Sequence, residues 1–95
     1  MTFWDFFEIL ITRVKQIVDL PGNWPYGVFG RDPTEGLIQY GSASVAAWVD
    51  GTMAQINIKI PGTADRTFQT EMSEENAERI GDDVGRLFAA NVPPP

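Results

Sequence analysis

Apolar and polar side chains alternate from Ala43 to Ile60, with Asp50-Gly51 near the middle of the run. Alternation with a period of two is the mark of a strand buried on one side, and Asp-Gly between two such runs marks a hairpin. Placed at the two central turn positions, Asp50 and Gly51 set Val49 opposite Thr52, Ala47 opposite Ala54, Val45 opposite Ile56 and Ala43 opposite Ile58. One face then carries Ala43, Val45, Ala47, Val49, Ala54, Ile56, Ile58 and Ile60. The other carries Ser44, Ala46, Trp48, Met53, Gln55, Asn57 and Lys59. A slip of one residue would turn every side chain over, so the pattern assigns each residue to a face.

Thr2 to Asp19 repeats with helical periodicity instead. Thr2 serves as N-cap with Asp5 three residues on, and both Asp5 and Glu8 lie early, where the helix dipole favours them. The apolar side chains from Phe3 to Val18 fill an arc of about 160°, against the roughly 100° that one packing surface needs. The excess predicts either a homodimer through this helix or a monomer whose two helices pack on each other. Pro21-Gly22 ends the helix.

Tyr26 to Arg31 reads as a short strand and Leu37 to Tyr40 as another. Between them Asp32-Pro33-Thr34-Glu35-Gly36 has the composition of a type I turn closed by a left-handed glycine. Gly41-Ser42 marks a bend or bulge. A last strand runs from Arg66 to Glu71, and Ser73 caps a second helix that reaches about Ala90. Ala77, Ile80, Val84, Leu87 and Phe88 form its apolar stripe. Ala77, Gly81 and Gly85 recur every four residues, which predicts a close backbone approach there. Glu75 with Arg79, and Asp82 with Arg86, stand in the i,i+4 spacing of ion pairs. Asn91 to Pro95 reads as a disordered proline-rich tail. The fold expected is α+β, a single domain over residues 1–90. It has an N-terminal helix, an antiparallel sheet of four or five strands and a C-terminal helix, with both helices on one face of the sheet.

Composition narrows the chemistry. The chain of 95 residues has neither cysteine nor histidine, so it lacks thiolate chemistry, disulfides, the commonest general base and the commonest transition-metal ligand. It also lacks a nucleophile elbow, a phosphate-binding glycine loop and a metal-ligand cluster, and no spacing among its acids singles out a catalytic pair. The expectation is a non-enzyme without cofactor or metal. Charges at Asp5, Glu8, Arg13 and Lys15 break the only apolar run that could span a membrane, and no basic stretch precedes it as in a secretory signal. A cytoplasmic location fits the absence of cysteine.

The net charge of −6 opposes direct nucleic-acid binding. Residues 71–90 hold six acids and two arginines, −4 of that total, which offers one reading: an acidic decoy that mimics nucleic acid before a basic cleft. The other reading starts from aromatic surface. Trp48 falls on the polar face of the hairpin beside Met53 and Gln55, while Trp24 and Tyr26 lie in a stretch rich in glycine and proline. Tryptophan, tyrosine and methionine are the side chains that anchor protein interfaces. The leading expectation is a non-catalytic interaction or inhibitory module that binds another protein, or a second copy, through Trp24, Tyr26, Trp48, Met53 and Gln55. The order helix, strands, helix resembles that of double-stranded-RNA-binding domains, but the basic helix terminus of those domains is missing. The short, acidic, cysteine-free make-up is similar to that of small accessory proteins of bacteria and their phages.

Overall fold

A computed structural model describes residues 1–18, the backbone of 26–30, and residues 34–91. Helix α1 (Phe3–Val18) leads into strands β1 (Tyr26–Gly30), β2 (Glu35–Tyr40), β3 (Ala43–Asp50), β4 (Met53–Lys59) and β5 (Arg66–Glu71), followed by helix α2 (Glu74–Asn91). The strands form one antiparallel meander in chain order, so β5 and β1 are its edges. Both helices lie on the same side of it, as the one-sided hydrophobic pattern requires, and the fold is α+β.

The helix starts are those the sequence prescribes. Asp5 N–H donates to Thr2 Oγ1 at 3.2 Å while Thr2 N–H donates to Asp5 Oδ2 at 3.3 Å, a reciprocal cap that satisfies two otherwise orphaned donors. At α2, Asn76 N–H donates to Ser73 Oγ at 3.2 Å. The helix runs on to include Asn91, whose side chain donates to the Leu87 carbonyl at 2.9 Å, so that residue belongs to α2 and not to a tail. The rest of the expected tail, 92–95, and the expected helix stop at 21–22 lie outside the described residues.

The central hairpin differs from the sequence expectation by one position in its turn. Asp50 pairs with Met53, Ala47 with Ile56 and Val45 with Ile58, so the two turn residues are Gly51 and Thr52. Gly51 has φ +66°, the left-handed conformation that primed hairpin turns require at their first central position. With glycine there, Asp50 keeps an extended strand conformation. Moving the turn by one residue changes each pairing by two, an even number, so every side chain stays on its expected face. Gly41-Ser42, expected as a bend or bulge, follows the same chemistry. Gly41 has φ +60° and Tyr40 pairs with Ala43, making a second two-residue hairpin.

Glycine 36 is a strand residue of β2, not the left-handed end of a turn. It is needed for space: a Cβ built there would stand 2.6 Å from Cζ of Phe7, whose buried ring packs against the strand at that point. The core joins the apolar sheet face, including Ile38, Val45, Ile56 and Ile58, to Phe6, Phe7, Leu10 and Val14 of α1 and to Ile80, Val84 and Phe88 of α2. Phe88 stacks on Tyr40 at 5.3 Å, and burial pushes the Tyr40 phenol above its usual pKa.

The two helices pack closely on each other, which gives the wide apolar arc of α1 its cover. The contact passes over Gly81 and Gly85, as the small-residue repeat predicts. A Cβ at Gly81 would lie 2.7 Å from the Leu10 carbonyl oxygen and 2.7 Å from Arg13 Cβ. Across the same seam Arg13 donates twice to Asp82, Nε to Oδ1 and Nη2 to Oδ2, each at 2.8 Å, and approaches Glu78 at 3.7 Å. Asp82 therefore serves α1 and not Arg86. Arg86 pairs with Asp83 at 3.3 Å, and Arg79 donates to Asn76 Oδ1 at 3.0 Å. Neither expected i,i+4 pair forms.

Candidate interaction surface

Because both helices sit on one side, the other side of the sheet is left without a second layer among the described residues. Register fixes what it presents. Trp48 of β3 stands between Glu35 of β2 and Gln55 of β4, with Gln69 of β5 beyond. The next row is Leu37, Ala46, Asn57 and Thr67, and on the other flank Asp50, Met53 and Glu71 line up. Trp48, Met53 and Gln55 share one face, as the alternation of the hairpin places them. Their order changes with the turn, since Gln55 is the direct neighbour of Trp48 and Met53 the diagonal one.

Trp48 is 36% exposed, the largest apolar side chain open to solvent on the sheet. No described side chain from another layer covers it. Leu37, Ala46 and Met53 around it are half-buried. The polar members are held in place by their neighbours. Gln55 Nε2 donates to Asp50 Oδ2 at 3.2 Å, and Asn57 Nδ2 donates to Thr67 Oγ1 at 2.8 Å. These bonds fix amide side chains that would otherwise lose rotamer freedom on binding.

Charge is arranged around the apolar spot. Glu35 adjoins Trp48 in register, Asp50 lies two residues along the same strand, and Glu71 is the partner of Met53. Three carboxylates therefore surround Trp48 and Met53, while Lys59 occupies the far end of β4. Glu35 and Leu37 join this face because β2 begins at Glu35, inside the stretch whose composition marks a turn. Glu-Gly-Leu-Ile-Gln-Tyr does not alternate in polarity, so the sequence carries no signal for that extension.

Of the remaining expected site residues, Trp24 lies outside the described residues. Tyr26 opens β1 as the Cα partner of Tyr40, and its side chain is likewise outside them. Among the described residues no group of three or more acidic side chains converges so as to hold a metal ion. Among the described residues, no helix is long and apolar enough to cross a membrane. A search of family models, curated proteins and solved structures finds no match to this chain.

Proposed function

We propose that the protein is a non-catalytic interaction module whose binding surface is the open sheet face centred on Trp48. The observation that carries this reading is the placement of Trp48 and Met53 on the side of the sheet away from both helices, with Trp48 36% exposed. A rigid sheet presenting an aromatic anchor loses little conformational entropy when it binds. The ring of Glu35, Asp50 and Glu71 selects the partner: another protein, with an apolar pocket rimmed by lysine or arginine. The covered arc of α1 favours such a partner over a second copy docking on that helix. A cytoplasmic site of action is part of the proposal.

The acidic-decoy reading has less support. It needs a continuous carboxylate row on α2, but Asp82 and Glu78 are engaged by Arg13, and Asp83 by Arg86. The two readings differ in their response to salt. Affinity anchored by a desolvated tryptophan survives high ionic strength, whereas a decoy's affinity collapses. The test compares the parent with Trp48→Ala in capture from host lysate at low and high salt. A protein retained by the parent in both conditions, and lost from a Trp48→Ala variant with unchanged circular dichroism, supports the proposal. Equal retention by the variant refutes it.

A further inference from the structure

The sheet has an edge as well as a face. β5 ends the meander, and among the described residues nothing pairs with its outer side. α2 runs back alongside it, and between the two lies an open groove of two depressions, of about 250 and about 390 Å³, that share Arg66 and Asp83 in their linings. Its apolar lining includes Phe68, Ile80 and Leu87, and its charged lining is Arg66, Arg79 and Arg86 with one acid, Asp83. Three arginines against one aspartate leave a lining of +2 on a chain of net charge −6. Arg66 makes no ion pair among the described residues, and Arg79 is held only by Asn76. A strand edge offers unpaired N–H and C=O groups at a fixed repeat, and an adjoining groove receives every second side chain of an added strand.

We propose that β5 and α2 form a second binding site that takes an extended acidic peptide segment of another protein as a sixth strand. Its main chain pairs with Arg66–Glu71, and its alternate carboxylates meet Arg66, Arg79 and Arg86. Charge selects this occupant over a second copy. A twofold pairing of β5 with β5 sets two grooves of the same sign against each other, and like charges juxtaposed across an interface disfavour it.

The probe is an eight-residue, end-blocked peptide alternating valine and glutamate, titrated by fluorescence polarisation. A counterpart carrying glutamine for glutamate serves as control. Saturable binding is expected, weakened about tenfold or more in the glutamine peptide and by Arg66→Gln in a protein of unchanged melting temperature. N-methylation of one alternate set of peptide amides abolishes binding and that of the other set does not, because only every second amide of a strand points at its neighbour. Amide exchange slows at Arg66–Glu71 on binding. Trp48→Ala binds the peptide as the parent does, which separates this site from the sheet face. The proposal is overturned by absent binding, by equal affinity for the glutamine peptide, or by indifference to N-methylation. Protection of β5 that grows with protein concentration alone assigns the edge to a second copy and also overturns it.

Discussion

Replacing Gly81 by alanine sets two effects of similar size against each other. Alanine in a helix interior is favoured over glycine by about 1 kcal/mol. Against this, the new methyl group would stand 2.7 Å from both the Leu10 carbonyl oxygen and Arg13 Cβ, where ordinary contact begins near 3.4 Å. Both atoms are tied to the backbone of α1, so no rotamer change relieves the clash. The helices must separate locally by about 0.7 Å, the difference between those distances. A gap of that size forfeits roughly a third of the dispersion energy of each atom pair across it, at about 0.1–0.2 kcal/mol per pair. Over about 25 pairs that is about 1–1.5 kcal/mol, and backbone distortion adds on the order of 1 kcal/mol. The net expectation is a loss of about 1–1.5 kcal/mol after the propensity gain.

Gly85→Ala supplies the internal control, because propensity is the same at both positions. There the nearest atom is Ile17 Cβ at 2.9 Å, one residue from the end of α1, where the chain gives way more easily. Its two effects nearly cancel, and the variant stays within about 0.5 kcal/mol of the parent. Urea titration separates the outcomes, because 1 kcal/mol moves the midpoint by about 0.5–1 M at the slope expected for this size. In the double variant the costs fall short of additive, since one displacement of α1 makes room for both methyl groups. If Gly81→Ala is more stable than the parent, or matches Gly85→Ala, the close helix contact is refuted.

Other expectations follow from the same geometry. Trp48→Ala lowers stability by about 1–2 kcal/mol, less than the 3–5 of a core aromatic, and a larger drop of the urea midpoint would place Trp48 in the core. The Arg13 hydrogen bonds hold the Asp82 carboxyl below its usual pKa, so this contribution is intact above the unfolded-state value of about 3.9 and is lost as pH falls through the folded-state value. Asp82→Asn is therefore less stable than the parent at pH 7, and the gap closes in acid; a gap independent of pH in urea titrations refutes the assignment. Asp50→Thr costs under about 1 kcal/mol if Asp50 is a strand residue, but more if it must adopt positive φ, a distinction that thermal melting reads directly.

How far the fold was legible depends on what kind of information each feature needs. Side-chain faces of the central hairpin were legible because they depend on parity alone, and the turn displacement preserved parity. The turn itself was not, since Asp-Gly and Gly-Thr are both acceptable two-residue loops and only the full ladder chooses between them. Gly36 illustrates a different limit. Composition marks a glycine among prolines as a turn, but its cause is the Phe7 ring, 29 residues away in the chain. The caps at Thr2 and Ser73 and the repeat of Gly81 and Gly85 were legible because their partners are local or their spacing is helical. The ion pairs were not: Asp82 finds a two-pronged partner on α1, and a bidentate guanidinium contact outcompetes a one-turn neighbour on the helix surface. Trp48, Met53 and Gln55 were brought together by the hairpin alone, whereas Glu35 and Glu71 entered the site only through neighbouring strands.

The distribution of charge ties the two surfaces into one picture. Net charge alone suggests a uniformly acidic protein, and a uniform field would steer one class of partner. The fold instead sets one cluster of each sign on a different surface. Acids gather at Glu35, Asp50 and Glu71 around the exposed tryptophan, and arginines gather at Arg66, Arg79 and Arg86 along the β5 edge. Strand β5 divides the two, since its residues alternate between the open face and the groove, with Arg66 on one side and Glu71 on the other. Under the two proposals, a cationic partner on the face and an anionic strand on the edge would be bound together without competing. Their charges would attract across the single strand between them, so occupancy of one surface should strengthen the other. A molecule built only to imitate a polyanion would gain nothing from an arginine-lined edge.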